Sequence, residues 1–276
     1  MARIRGTLYL LPNLLDEHGE PDAVLPAAAL ARARVLKRFV VEGEKAAWRL
    51  LSRVLSKEEA QAVTMERLDE HSRPEDLAPL LEPLERGEDV GLLSEAGMPC
   101  VADPGAALAA LAHDRGIAVR ILSGPSSIIM ALAASGMDGQ RFAFLGYLPA
   151  ESAARRTALA GIERGLAEDG ATRIFIETPY RNDKLLADCL GILSPATRLC
   201  VAAAISSPGE RIRSAPVAAW RADPWSPGKV PAVFLIGREA RLGQGRDPGR
   251  SGGRVESLDR PRGSGHSSSV CKNKRR

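Results

Sequence analysis

Short apolar runs alternate with helical segments through the first half of the chain, and this alternation strongly limits the possible folds. Strands are predicted at residues 6–12, 38–42, 89–94 and 117–123. Between these strands, apolar residues recur at helical spacing in "AVLPAAALARARVL", "EKAAWRLLSRVL" and "RPEDLAPLLEPLERG". At the start of the last segment, Ser72, which immediately precedes it, and Glu75 predict a capping box ahead of Pro74. The order of strands and helices indicates a parallel sheet with helices on both faces.

The second half of the chain has a different order of predicted strands and helices. Strands are predicted at 141–148, 172–177, 198–205, 215–220 ("APVAAW") and 230–237. The last three come close together with no helix predicted between them, so this sheet should be mixed or partly antiparallel. We therefore predict an α/β protein of two α/β domains, residues 1–122 with a mostly parallel sheet and residues 123–240 with a mixed sheet.

The positive charge of the chain is concentrated at its end. Residues 241–276 contain ten Lys/Arg and three Asp/Glu, so the formal charge of +4 divides into +7 for this segment and −3 for the rest. The segment is rich in Gly, Ser, Pro and Arg and has no apolar period, which predicts a disordered basic tail. Such a tail can bind phosphate backbones, and a solvated extension without function is the alternative.

Several common site types have no signature here. The sequence lacks GxGxxG after a strand, GxxxxGK[ST], GxSxG and HExxH, its four Cys have no CxxC spacing, and its four His are scattered. No metal site is therefore expected. The longest uncharged run, 121–137, contains Gly, Pro and Ser and is a poor membrane span. With no recognisable signal peptide, a cytoplasmic protein without a membrane partner is expected.

Unusual loops follow several predicted strands, namely "LLPNLL", "SEAGMPCVADPG", "SGPSS" and "ETPYR". Ligands of open α/β sheets bind beyond the carboxyl ends of strands. Each loop also has a purely structural interpretation: Asp103 as N-cap and Pro104 as first helical residue explain "VADPG". "SGPSS" likewise caps the helix "SIIMALAAS", and "ETPYR" suits a plain turn. However, "SEAGMP" adds small residues before the cap, where a ligand can lie against the backbone.

The four motifs "LLSEAGMPCVADPG", "SGPSSIIMALAASG", "RFAFLGYLP" and "IFIETPYR" together resemble the tetrapyrrole methylase superfamily of S-adenosylmethionine-dependent methyltransferases. Their order and residues are similar to the motifs of the group that methylates ribosomal RNA, which read SDAGTPxxSDPG, PGPSA, RFxFxGFLP and ESPHR. The resemblance covers residues 6 to about 238. It implies two α/β domains, S-adenosylmethionine in the cleft between them, and a homodimer.

The resemblance also implies which residues bind the cofactor. Carried over position by position, they are Pro12, Ser94, Glu95, Ala96, Gly97, Pro99, Val101, Ser126, Ser127, Thr178 and Ser206. Methyl transfer from a sulfonium is an in-line displacement that needs alignment and desolvation rather than a metal.

Departures from the family pattern concern the acceptor. The group's EDTR-type segment is replaced by "VVEGEKAAWRLL", which keeps Glu42, and the Glu that follows the "AISS" strand end is matched by Glu210. Glu177 and Glu42 are the candidate catalytic bases, because a ribose hydroxyl is a weak nucleophile at neutral pH. The alternative is that these carboxylates are strand-end charges that are solvated or paired with Arg181 or Arg49.

Three arginines are candidates for binding phosphates: Arg155, Arg156 and Arg181. An exposed helix face explains the first two equally well. The predicted function is 2′-O-ribose methylation of ribosomal RNA, with the small ribosomal subunit as partner. The alternatives are methylation of a tetrapyrrole or another small molecule, and a non-catalytic binding protein that retains the fold.

Overall fold

Residues 5–240 are described by the computed structural model, and they contain two five-stranded sheets. The first sheet is parallel throughout, in the order β3-β2-β4-β1-β5. Its strands are β1 (Thr7–Leu11), β2 (Arg38–Val41), β3 (Thr64–Arg67), β4 (Val90–Leu93) and β5 (Ala118–Ile121).

The second sheet is mixed, in the order β6-β7-β10-β8-β9, with β6 and β7 parallel and the other neighbours antiparallel. Its strands are β6 (Phe142–Tyr147), β7 (Thr172–Glu177), β8 (Arg198–Ala203), β9 (Arg211–Pro216) and β10 (Ala232–Gly237). A parallel first sheet and a mixed second sheet were both predicted from the sequence, and both are confirmed.

The helices of the described residues connect these strands. They are α1 (Pro21–Val24), α2 (Ala27–Val35), α3 (Glu44–Val54), α4 (Lys57–Gln61), α5 (Pro74–Glu85), α6 (Gly105–Asp114), α7 (Ser127–Ser135), α8 (Ser152–Asp169), α9 (Asn182–Ile192) and α10 (Val217–Ala222), with a 3₁₀ turn at Pro179–Arg181. None of them has the length and apolar composition needed to cross a membrane.

Helices cover both faces of the first sheet. One apolar cluster contains Phe39 of β2 and Leu51 of α3, and a second contains Val90 of β4, Leu81 of α5 and Leu108 of α6. The second sheet also has two clusters. Helix α7 lies directly after β5 in the chain, but its apolar residues cluster with β7, β8 and β10. Its N-terminus therefore leads from the carboxyl end of the first sheet to the second sheet.

Two strand predictions were wrong. Strand β3 was missed, because three of its four residues, "TMER", are polar, and the strand is partly exposed at the sheet edge and carries little apolar signal. The segment "APVAAW" is not a strand of its own: β9 ends at Pro216 and α10 begins at Val217. A helix therefore lies between β9 and β10, where none was expected.

Two helix starts also differ from the prediction. The capping box of Ser72 and Glu75 is wrong, because α5 begins after Arg73, whose backbone N–H donates to Asp76 Oδ2 (2.8 Å), while the Ser72 hydroxyl donates to Asp69. The helix predicted at "AVLPAAALARARVL" is divided at Leu25 and Pro26 into α1 and α2. Proline lacks a backbone N–H and restricts the residue before it, which favours this break.

The predicted domain boundary between residues 122 and 123 and the predicted cleft stay predictions. The predicted disordered tail, residues 241–276, lies outside the described residues.

Candidate functional site

The loops that follow the neighbouring strands β4, β1 and β5 meet at the carboxyl end of the first sheet. Asn13, which is buried after β1, donates from Nδ2 to the carbonyls of Ser94 and Glu95 (both 3.0 Å). The Asn13 backbone N–H donates to the Gly97 carbonyl (2.8 Å). Asn13 therefore holds the start of the loop after β4. Sequence reasoning did not select it, although it is the one polar residue within "LLPNLL".

The loop after β4 has an unusual backbone. Gly97, Cys100 and Ala102 have φ values of +68°, +66° and +58°, and a left-handed conformation is costly for residues with a Cβ. Asp103 stabilises this path, because its Oδ1 accepts from the backbone N–H groups of Cys100 (3.0 Å) and Gly105 (2.7 Å). Backbone strain in a strand-end loop is typical of ligand sites.

Asp103 does accept hydrogen bonds at the start of α6, but it is not the N-cap, because the helix begins one residue later than predicted. Pro104 is the N-cap and the helix begins at Gly105, so the predicted roles of Asp103 and Pro104 each shift by one residue. Burial raises the pKa of Asp103, against the lowering effect of its two backbone hydrogen bonds. Burial likewise raises the pKa of the Cys100 thiol to about 11, with a further contribution from Asp103. The thiol is therefore protonated at neutral pH.

The loop after β5 packs tightly on the loop after β1. A Cβ placed on Gly124 would lie only 2.1 Å from Cβ of Pro12, so this contact requires glycine. Ser126 is the N-cap of α7, and its hydroxyl accepts from the Ile129 N–H (3.5 Å). The cap predicted for "SIIMALAAS" is confirmed.

The loop after β8 contributes from the second sheet. Ala204 and Ser206 both have left-handed backbones (φ +52° and +67°), and the Ser206 N–H donates to Glu210 Oε2 (2.9 Å). The loops after β4 and β8 both contain residues with left-handed backbones. They contribute Met98 and Ser206 to the cavity described next.

An open cavity of about 640 Å³ lies among these loops, within the usual range for small-molecule sites. Its lining is uncharged: Val24, Met98, Ile121, Leu122, Ser123, Gly124, Pro125, Ser126, Ile129, Met130 and Ser206. Ile121 and Ile129 are 63% and 51% exposed. Exposed apolar side chains around a cavity at strand ends indicate a site for a partly apolar ligand.

The predicted cofactor-binding residues surround this cavity unevenly. Ser126 and Ser206 line it, and Gly97 lies next to the lining residue Pro125. The others are not part of the lining: Pro12, Ser94 and Pro99 are buried, Glu95, Ala96 and Val101 are exposed, and Ser127 and Thr178 are half-buried. Met98, Ser123, Ile129 and Met130 were not selected from the sequence. Helix α7 is apolar on nearly all sides, which was the available signal for the last two.

Glu42, a predicted catalytic base, lies at the end of β2 beside the loop after β4. Its Oε2 accepts from the Glu95 N–H (3.3 Å). It is not paired with Arg49, whose guanidinium instead contacts Glu17. Burial raises the pKa of Glu42, and the neighbouring carboxylates of Asp103, Glu95 and Glu70 raise it further. Glu42 is therefore a carboxylate with increased affinity for a proton.

Glu177, the other predicted base, is buried at the end of β7 and paired with Arg181. Its Oε1 accepts from the Thr178 N–H (2.7 Å) and from Arg181 Nε (2.9 Å) and Nη2 (2.6 Å). Its Oε2 has no hydrogen-bond partner among residues 5–240. The pairing alternative weighed from the sequence therefore holds for Glu177 and does not hold for Glu42.

Arg155, a candidate for binding phosphates, is buried in an ion pair. It is 3% exposed and is bonded to Asp188 through Nε (2.8 Å) and Nη2 (2.6 Å). Arg156 also contacts Asp188, at 3.2 Å, and Arg181 contacts Glu177. The sequence prediction was wrong for Arg155 because "SAARRTAL" does not reveal which arginine faces the core.

The family model described as "Tetrapyrrole (Corrin/Porphyrin) Methylases" matches residues 24–220. The chain is 38% identical to the ribosomal RNA small subunit methyltransferase I of Pseudomonas aeruginosa over 149 residues, 54% of this chain and 51% of that protein. It is 36% identical to the protein of the same name from Micromonospora olivasterospora over 191 residues, 68% and 56% of the two chains. The chain thus spans about half the length of the curated relatives it matches.

A solved structure has the same fold. The methyltransferase CobJ superimposes with a TM-score of 0.57 and 18% identity, over 87% of this chain and 97% of that chain. At this level of identity, the similarity concerns the fold.

Proposed function

Because the chain belongs to the tetrapyrrole (corrin/porphyrin) methylase family, we propose that it transfers the methyl group of S-adenosylmethionine to a ribose 2′-hydroxyl of small-subunit ribosomal RNA. The observation that carries the proposal is the open cavity at the carboxyl ends of the parallel strands, whose lining includes residues of two family motifs, "LLSEAGMPCVADPG" and "SGPSSIIMALAASG". The name shared by the relatives supports RNA as the acceptor. A ribosomal substrate also supports a cytoplasmic location.

The cavity suits the cofactor in size and chemistry. Its volume is about 640 Å³, and its walls offer apolar contacts while the hydroxyls of Ser123, Ser126 and Ser206 offer hydrogen bonds. We propose that these three serines, with Met98 and the neighbouring backbone of Gly97, hold S-adenosylmethionine. When bound, it supplies an electrophilic methyl group on a sulfonium. The chain would contribute alignment and desolvation.

Glu42 is proposed to accept the proton of the ribose hydroxyl. It lies beside the loop after β4, and its environment favours the protonated form. Glu177 is proposed to position the turn at Pro179–Arg181 through its bonds to Thr178 and Arg181. The homodimer implied by the family resemblance remains part of the proposal.

Glu42→Gln is expected to lower kcat by about 10²- to 10⁴-fold, the usual contribution of a general base. Because the pKa of Glu42 is raised, the wild-type rate should rise with pH through that raised value, at higher pH than for an ordinary glutamate. The measurement is kcat against pH with tritiated cofactor. Glu70→Gln is the matched control: it removes a charge that raises the pKa of Glu42 and should move the acid limb to lower pH while keeping kcat. A Glu42→Gln enzyme with wild-type kcat would contradict the assignment.

Methyl transfer to isolated small ribosomal subunits tests the function as a whole. We expect tritium from labelled S-adenosylmethionine in the RNA, and nuclease digestion should locate it on a ribose. Calorimetry measures cofactor binding separately. Cofactor binding without transfer to RNA would favour a tetrapyrrole or another small acceptor, and no binding at millimolar cofactor would favour a non-catalytic protein.

A further inference from the structure

Tyr180 presents an almost free aromatic ring at the end of the second sheet. It lies in the 3₁₀ turn after β7 and is 79% exposed, the largest value among the exposed large hydrophobic residues of the described chain. Lys229 Nζ lies 5.7 Å from the centroid of the ring. The aromatic ring and the cation thus form a pair at the surface.

Hydrogen bonds hold the backbone on either side of Lys229 against the segment that carries Tyr180. Asn182, which is fully buried, donates from Nδ2 to the carbonyls of Gly228 (3.1 Å) and Val230 (2.7 Å), the two residues that flank Lys229. The hydroxyl of Ser226 in the same loop donates to Asp183 Oδ1 (2.6 Å). Since Asn182 follows Tyr180 by two positions, the loop with the cation is attached to the segment with the ring. The backbone segments that carry the pair are thus held together, which lowers the entropic cost of binding.

A second cation and aromatic ring lie at the same end of the sheet. Arg211 is the first residue of β9, and its guanidinium carbon lies 4.4 Å from the ring centroid of Trp225. In the register of the sheet, Glu177, Ala232, Ala203 and Arg211 form one row. Ser206 of the cavity follows Ala203 at this end. Both pairs therefore share a sheet end with the cavity.

Neither Lys229 nor Arg211 forms a salt bridge with another residue of the 5–240 range. Positive charges without a salt bridge, placed beside aromatic rings, are complementary to a chain that carries phosphates and bases. Single-stranded nucleic acids bind such surfaces by stacking bases on aromatic rings while phosphates contact Lys and Arg. An apolar protein partner would instead desolvate both cations without compensation.

We propose that Tyr180 and Lys229 bind a single-stranded segment of the RNA acceptor: an unpaired base stacks on Tyr180, and Lys229 and Arg211 contact the phosphates on either side. The proposal rests on the proposed function and deepens it, because it names single-stranded RNA as what the second sheet binds. The acceptor would be an unpaired region of ribosomal RNA, since a base in a continuous helix is not free to stack on the ring.

The test uses the full chain, small ribosomal subunits and a fluorescein-labelled single-stranded oligoribonucleotide. Tyr180→Ala is expected to raise Kd for the oligonucleotide and KM for the subunits by about 5- to 100-fold, the usual effect of losing one stacked base. The kcat and the affinity for S-adenosylmethionine should stay unchanged. Tyr180→Phe, which keeps the ring, should bind within about two-fold of wild type. Phe142→Ala removes an exposed ring at the opposite end of the sheet and should have no effect.

Salt dependence provides a second readout. Lys229→Ala should reduce the slope of log Kd against log salt by about 0.7, because one phosphate contact of a single strand is lost. Lys37→Ala, which removes an exposed lysine just before β2 of the first sheet, is the matched control and should leave the slope unchanged. If Tyr180→Ala fails to fold, Lys229→Ala still tests the site.

The possible failures can be distinguished. Wild-type affinity and KM in Tyr180→Ala, with methyl transfer intact, would overturn this inference alone. If the wild-type protein bound cofactor but no RNA, the proposed acceptor would fail as well. If Tyr180→Ala changed only the oligomeric state in sedimentation, the ring would be a subunit contact, which also overturns the proposal.

Discussion

Gly124→Ala is expected to weaken the binding of S-adenosylmethionine by about ten-fold or more. The new Cβ would lie 2.1 Å from Cβ and 2.4 Å from Cγ of Pro12, and the proline ring has no rotamer that relieves the overlap. The two loops must therefore separate at the wall of the cavity. Isothermal titration calorimetry gives the affinity, and urea unfolding shows how much of the effect is a general loss of stability.

Gly139→Ala is the matched control, because a Cβ at that position meets nothing within 4 Å. Its cofactor affinity and stability should equal those of the wild type. The double variant Pro12→Gly/Gly124→Ala removes the ring that causes the overlap and should recover most of the affinity. Full affinity in Gly124→Ala alone would show that the cofactor binds elsewhere.

Arg155→Met is expected to lower the free energy of unfolding by about 3 to 5 kcal/mol, as is usual when one partner of a buried ion pair is removed. Arg155 also donates from Nη1 to the carbonyls of Pro149 (3.3 Å) and Ala150 (2.8 Å). The substitution leaves the carboxylate of Asp188 buried with Arg156 as its remaining partner. Urea unfolding followed by circular dichroism measures the loss.

Arg156→Met is the control, since the Arg156 side chain is 46% exposed and an exposed pair contributes less than about 1 kcal/mol. The double variant Arg155→Met/Asp188→Leu should be more stable than Arg155→Met, because no charge is left buried. A stable Arg155→Met protein with weaker RNA binding would instead restore the phosphate-binding role.

The sequence was most informative where the signal is local. Ser126 was recognised as a cap because the side chain, the turn and the following apolar helix are adjacent in the chain. The core strands were recognised for the same reason: runs such as "VGLL" are buried on both faces and therefore continuously apolar. Strand β3 carries no such signal, since pairing with β2, rather than its own composition, makes it a strand.

The candidate site shows the same division. The motif loops were found from the chain alone, because small residues, prolines and caps leave a mark at each strand end. Which member of "ARRT" is buried, and that Asn13 holds the loop 81 residues ahead, depended on long-range packing. The sequence determined the alternation of elements and the loops at the strand ends, because periodicity and turn chemistry are local. Only the tertiary structure decided that Glu42 is not paired with Arg49 and that Lys229 lies beside Tyr180, because those contacts join segments far apart in the chain.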